Sequence, residues 1–223
     1  MIRNFLSGSV GLVDFIIFII SSAIVVFLTM PIHEFAHGYA AVKLGDNTPR
    51  YQGRLSLNPL RHIDPLGALC ILILGFGWAK PVRVNSFNLK NPKRDMAIIA
   101  LAGPLSNVIV ALISLIIYNI VIRFVQSLYI PLIFYYIAVI NINLAVYNLI
   151  PVPPLDGSRI LGALLPDRTY YKMMQYERYI FYAVLALTFL GVLNVPLNFL
   201  SNLLFTGLRY LAQLPFNVIG LLI

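Results

Sequence analysis

Hydrophobic positions along the chain fall into long unbroken runs separated by short polar gaps. The first run extends from about Asp14 to Leu44 and contains Phe15-Ile16-Ile17-Phe18-Ile19-Ile20 near its start. As a continuous helix rising 1.5 Å per residue it would be about 45 Å long. That exceeds a hydrocarbon core of about 30 Å, so the segment must tilt, kink or protrude. Pro31 predicts a kink, because it cannot donate to the carbonyl of Phe27. Gly45-Asp46-Asn47-Thr48-Pro49 then stops the helix with turn chemistry. Tyr51–Leu57 alternates weakly and predicts one or two short strands at the interface. Pro65–Trp78 is apolar over 14 residues with Gly67, Gly75 and Gly77 inside it. That length suits a re-entrant or interfacial segment better than a full crossing.

Met96–Ile122 and Tyr129–Ile150 read as full spans, the second ended by Pro151, Pro153 and Pro154. Tyr179–Leu193 is a shorter span candidate. Pro196–Ile223 is interrupted by Asn198, Asn202, Arg209 and Gln213 and either crosses or lies along the interface. The pattern predicts an all-α integral membrane fold: a polytopic transmembrane helix bundle of four to six membrane segments, with a short interfacial β-hairpin and a re-entrant segment. No internal repeat is evident. One membrane-embedded domain over residues 1–223 accounts for the whole chain, with a core at roughly 14–165 and C-terminal helices at roughly 178–223.

Composition agrees. The 223 residues are 60% hydrophobic and 11% charged, with a mean hydropathy of +0.86, against about 25% charged residues in soluble domains. Met1-Ile2-Arg3-Asn4-Phe5 lacks the marks of a removed signal peptide, so the first run is expected to stay in the mature protein. The net charge of +8 is not a nucleic-acid signature. Its residues sit in gaps between apolar runs: Lys80, Arg83, Lys90, Lys93 and Arg94 in one, and Arg159, Arg168, Lys172 and Arg178 in another. Both gaps should face the cytoplasm by the positive-inside rule. The cell membrane of a prokaryote is the expected location. Cys70 stands alone and can form neither an internal disulfide nor a multi-cysteine metal site.

The chemistry lies in the first run, at His33-Glu34-Phe35-Ala36-His37. Histidines four apart project from one helix face and can grip a single ion, the arrangement of HExxH zinc hydrolases. Glu34 is placed to take a proton from a water that the metal acidifies. A carboxylate at that depth is expensive, so a function is expected of it. Catalytic zinc usually takes three protein ligands. Asp156, at the end of Asn148-Leu149-Ile150-Pro151-Val152-Pro153-Pro154-Leu155-Asp156-Gly157, is the best candidate for the third, although Asp-Gly is also ordinary turn chemistry. His62 fits a structural histidine at the interface better than a ligand. Trp78 and the tyrosines fit interfacial anchoring.

These residues resemble the site-2 proteases, intramembrane zinc metalloproteases whose pattern is an HExxH helix and an Asn-x-x-Pro-x-Pro-x-x-Asp-Gly motif on a later transmembrane helix. His33–His37 and Asn148–Gly157 match it without departure, and Ala102-Gly103-Pro104-Leu105-Ser106-Asn107 looks like a further family feature. Gly103 and Pro104 can equally serve close helix contact. The stretches around Asn58–Gly67 and Gly77–Val82 look like the compact prokaryotic branch, without PDZ or CBS domains. The resemblance covers roughly residues 14–165. It implies one zinc ion held by His33, His37 and Asp156, with Glu34 as general base. It also implies Asn148 as a substrate or oxyanion contact, with Asn107 a weaker candidate for the same region.

The expected function is hydrolysis of a peptide bond within or near the transmembrane segment of another membrane protein. The expected partners are that substrate and the lipid bilayer, with room for a homo-oligomer or a regulatory membrane partner and no nucleic acid. Strand-like Tyr51–Leu57 could hold the unwound substrate by β-augmentation, or be an inert hairpin. A membrane metal transporter or sensor using the same ligands, or a non-catalytic scaffold, is the alternative; an intact Glu34 argues against the scaffold.

Overall fold

The computed structural model describes residues 11–74 and 78–218, together with Phe5 and Gly8. Gly75 and Gly77 of the expected re-entrant segment lie outside the described residues, as do 219–223 at the end of the last run. The fold is helical, and the described residues contain no strand.

Helix α1 (Leu12–Ile24) passes through a π-helical turn, Val25–Thr29, into α2 (Met30–Lys43). The irregularity expected at Pro31 is therefore taken up one turn earlier. Pro31 is the second residue of α2, directly after the widened turn, so the hydrogen bond it cannot donate is absorbed there. The widened turn ahead of it closes with the Met30 N–H on the Val25 carbonyl, which also accepts from the Thr29 hydroxyl at 3.0 Å. Such π-turns are frequent next to functional sites. At its other end, α2 stops in a Schellman motif: Gly45 takes φ 114°, its N–H bonds the Val42 carbonyl, and the Asp46 N–H bonds the Ala41 carbonyl.

The expected hairpin at Tyr51–Leu57 does not form. Tyr51 ends a single helical turn, α3 (Thr48–Tyr51), and Gly53 reverses the chain at φ 65°. The Arg54 N–H returns to the Pro49 carbonyl at 2.8 Å, and Asn58 caps a 3₁₀ turn at Pro59–Arg61. Local turns and caps use the backbone groups that a strand would need. Weak alternation over seven residues does not outweigh Gly53 within the stretch and Pro49 and Pro59 on either side of it. Pro65–Leu74 then forms a ten-residue helix, α4. The chain returns to its starting point, because the Lys80 N–H bonds the His62 carbonyl at 2.8 Å.

Helix α5 (Pro92–Phe124) and helix α6 (Ile130–Asn148) form the central hairpin. Together with the continuous Leu12–Lys43 helix, they are, among the described residues, the three helices long and apolar enough to cross a membrane by length and composition. Among the described residues four further helices follow: α7 (Asp156–Leu164), α8 (Asp167–Gln175), α9 (Glu177–Phe189) and α10 (Asn194–Val218). On α5 the apolar side chains of Leu101, Leu105, Ile109 and Ile113 are exposed at a spacing of four, while Asn107 and Ser114 are buried. A helix in water presents the reverse arrangement.

The bundle is held by close contact of small residues. Ala111 and Leu115 of α5, Ala138 and Ile142 of α6, and Leu208 and Ala212 of α10 form one buried cluster. A second joins Phe18 and Val25 to Ile137, Ile140 and Leu144 of α6. Between apolar surroundings there is little hydrophobic drive, so alanines that let backbones approach and gain dispersion contacts do this work. The C-terminal helix α10 thus packs as an integral partner of α5 and α6. The two basic segments lie at one end of the hairpin, where Lys93 Nζ meets Asp167 Oδ1 at 2.7 Å and the Leu165 carbonyl at 3.0 Å.

Candidate metal centre

The HExxH residues fall on α2 as their spacing predicts. His33, Glu34 and His37 are all buried. The two imidazoles converge, with 3.0 Å between their Nε2 atoms. Helix α5 crosses behind them. His37 Nδ1 donates to the Ile99 carbonyl at 2.7 Å, which fixes the tautomer and leaves Nε2 with its lone pair toward the site. One turn further along α5, Gly103 faces both rings. A Cβ on it would collide with His37 Nε2 and come within 2.6 Å of His33 Cε1. Gly103 is therefore part of the wall behind the histidines, a sharper role than helix contact alone. Asn107 is buried one further turn along the same helix.

Asp156 arrives from the other side. After Asn148, the half-buried last residue of α6, the chain turns back so that α7 begins against the end of α6. Gly157 permits this approach: a Cβ there would run into the Leu149 and Ile150 carbonyls. Asp156, first residue of α7, thereby places Oδ2 3.4 Å from His33 Nε2 and 3.3 Å from His37 Nε2.

These three separations, 3.0, 3.3 and 3.4 Å, suit a metal ion. Nitrogen and oxygen ligands about 2.0–2.2 Å from a tetrahedral zinc lie roughly 3.4 Å apart. Asp156 Oδ2 is buried and has no hydrogen-bond partner, an orphaned acceptor that a cation would satisfy. Two neutral imidazole nitrogens and one carboxylate oxygen are also a donor set that zinc favours. Among the described residues, His33, His37 and Asp156 form the one such cluster.

Glu34 sits beside this cluster, and its Oε2 accepts from the main-chain N–H of Val82 at 2.9 Å. Sequence reasoning had no access to that contact, because a backbone donor leaves no mark on residue identity. His62 is kept away from the metal cluster. It is fully buried, and its Nε2 meets the Ser56 carbonyl at 2.7 Å, as a structural histidine would.

Comparison with known proteins follows the same lines. The profile of Peptidase family M50 matches residues 120–192, a stretch that includes Asn148–Gly157. YwhC of Bacillus subtilis, whose naming as a zinc metalloprotease is provisional, is 40% identical over 176 residues, covering 75% of this chain and 80% of YwhC. Rip2 of Mycolicibacterium smegmatis, provisionally named in the same way, is 26% identical over 181 residues, covering 75% of this chain and 66% of Rip2. The zinc metalloprotease MJ0392 of Methanocaldococcus jannaschii is 28% identical over 148 residues, 66% of this chain but 35% of that longer protein. No solved structure matches. With identity of this level across most of YwhC, and with an HExxH helix and an Asp-Gly turn meeting at one centre, the chain belongs to peptidase family M50, the site-2 proteases.

Proposed function

We propose that this protein is an intramembrane zinc metallopeptidase that cleaves within or near the transmembrane segment of membrane-protein substrates. The observation that carries this reading is the convergence of His33, His37 and Asp156 beside a buried Glu34 on a helix long enough to span a bilayer. His33 and His37 would hold one zinc ion through Nε2, and Asp156 through Oδ2. When bound, zinc would supply Lewis acidity toward a water and toward the scissile carbonyl. Glu34 accepts the proton of the attacking water and returns it to the leaving amine. The Val82 N–H on Oε2 limits rotation of that carboxylate. Asn148 is assigned to the substrate or its oxyanion from the end of α6, and Asn107 is a weaker assignment for the same region.

In the bilayer, Leu12–Lys43, α5 and α6 form three crossings, and α10 forms a fourth by virtue of its packing on α5 and α6. The α4 segment enters and returns on one side, which the bond between Lys80 and His62 supports. The end carrying Lys93 and Asp167 faces the cytoplasm of a prokaryote. Residues 1–223 act as one membrane-embedded domain.

The test uses purified protein in liposomes with a single-pass substrate. Two fragments should appear, and Glu34→Gln should keep zinc while cleavage falls by about 10²–10⁴-fold, the usual contribution of a positioned base. Cleavage by Glu34→Gln at the wild-type rate would rule out this chemistry.

A further inference from the structure

Asp46, just beyond the helix that carries Glu34, is a fully buried carboxylate with no part in the chemistry above. It survives burial because it is saturated with donors. Oδ1 accepts from the Thr48 N–H at 3.0 Å, the Thr48 hydroxyl at 2.5 Å and the Asn88 side-chain amide at 2.7 Å. Oδ2 accepts from the Asn85 N–H at 2.8 Å. The Thr48 bonds are local, but those to Asn85 and Asn88 cross to a distant segment, 39 and 42 residues on.

That segment is a strap running from Lys80 to Leu89 along α2. It is tied at its start by the Lys80–His62 bond. Val84 and Leu89 pack with Ala41 and Ile99. Between these anchors, Val82 lies against Gly38, where a Cβ would be 3.7 Å from Val82 Cγ1, and gives its N–H to Glu34. Val82 is three residues from Asn85, roughly 10 Å of extended chain. A turn that served only to end α2 would be complete with the Schellman bonds and Thr48.

We propose that Asp46 is a positioning residue for the peptidase reaction: by anchoring Asn85 and Asn88 it fixes the strap that presents the Val82 N–H to Glu34. The inference rests on the reading of Glu34 as general base. A base misplaced by about 1 Å can lose about 10²-fold in rate, so a loosened strap registers in turnover.

Asp46→Asn separates the two arms of the carboxylate. Its one oxygen can still serve Thr48 and Asn88, but its amide sets a donor against the Asn85 N–H. We expect kcat to fall about 10- to 100-fold, with KM and zinc content near wild type. Deuterium uptake should rise over residues 80–89 and stay unchanged over 33–43. Thr48→Val removes the local hydroxyl bond and a 3.5 Å contact from the Asn88 amide but leaves Asp46 bonded to Asn85 and Asn88, so it should lower kcat and raise strap exchange far less than Asp46→Asn. Wild-type kcat in Asp46→Asn, a rate loss without faster strap exchange, or a rate loss accompanied by loss of zinc would each overturn the proposal. If Asp46→Asn does not accumulate, Asn88→Ser removes one strap anchor alone; it should raise uptake over 80–89 and lower kcat, and unchanged values would overturn the proposal equally. Wild type and Glu34→Gln are assayed alongside. If those two cleave alike, the base assignment falls; if they differ as expected and Asp46→Asn matches wild type, only the role of Asp46 falls.

Discussion

Gly103 of α5 lies so close to His37 of α2 that no side chain fits between them. A Cβ at this position would run into His37 Nε2 and also meet His33 Cε1 at 2.6 Å. One missing methyl group therefore sets how near two membrane helices can come and where both imidazoles point. Gly103→Ala should displace the rings, lowering zinc stoichiometry and abolishing most cleavage. Overpacking of this kind costs about 1–3 kcal/mol, so the variant should still fold. Zinc content per chain, measured by mass spectrometry of the purified protein, checks this; full zinc loading and normal turnover would contradict it.

In the proposed ligand set, Asp156 would supply the negative charge. Asp156→Asn keeps size and shape but gives a neutral donor, and should weaken zinc by more than about 100-fold, the upper range for loss of a supporting partner beyond the ligands themselves. Competition with a chromogenic chelator measures the affinity directly. Cleavage should fall with occupancy and recover in part at high zinc. Unchanged affinity would remove Asp156 from the site.

The α5–α6–α10 contact rests on alanines with no exposed surface, among them Ala212. Ala212→Leu should destabilise the protein by about 1–3 kcal/mol through overpacking. Leu211→Ala, at an exposed neighbour, should lie within about 0.5 kcal/mol of wild type. Denaturation in mixed micelles compares them. Equal stability of the two variants would mean that α10 is a loosely attached helix.

Asp46 makes acid stability a readable quantity. Burial by itself raises its carboxyl pKa, but hydrogen bonds from Thr48, Asn88 and Asn85 outweigh burial and hold it below the usual carboxylate value. A carboxyl with a depressed folded-state pKa adds stability that is present above its unfolded value, about 3.9, and is lost as pH falls through the folded value. The stability gap between wild type and Asp46→Asn should therefore be full at neutral pH and shrink only below about pH 4. Thermal unfolding across pH 3–8 checks this; a gap independent of pH would contradict it.

The sequence by itself marked the long apolar helices, a membrane-type setting and the candidate ligand types. Long apolar runs have few solutions in a bilayer, and histidines four apart share a helix face wherever that helix goes. It could not place the widened turn at Val25–Thr29, because a lost proline hydrogen bond can be absorbed at more than one point along a helix. Nor could it exclude the hairpin at 51–57, where weak alternation competed with caps and turns whose partners lie several residues away. Tertiary structure alone decided three things. It brought Asp156 across the bundle to His33 and His37, it set Gly103 behind them, and it laid the Val82 N–H on Glu34 under the hold of Asp46. Each depends on contacts between segments far apart in the chain, and one of them, the Val82 N–H on Glu34, runs through a backbone group that leaves no mark on residue identity. Local periodicity reports the face a side chain occupies; only packing decides what that face meets.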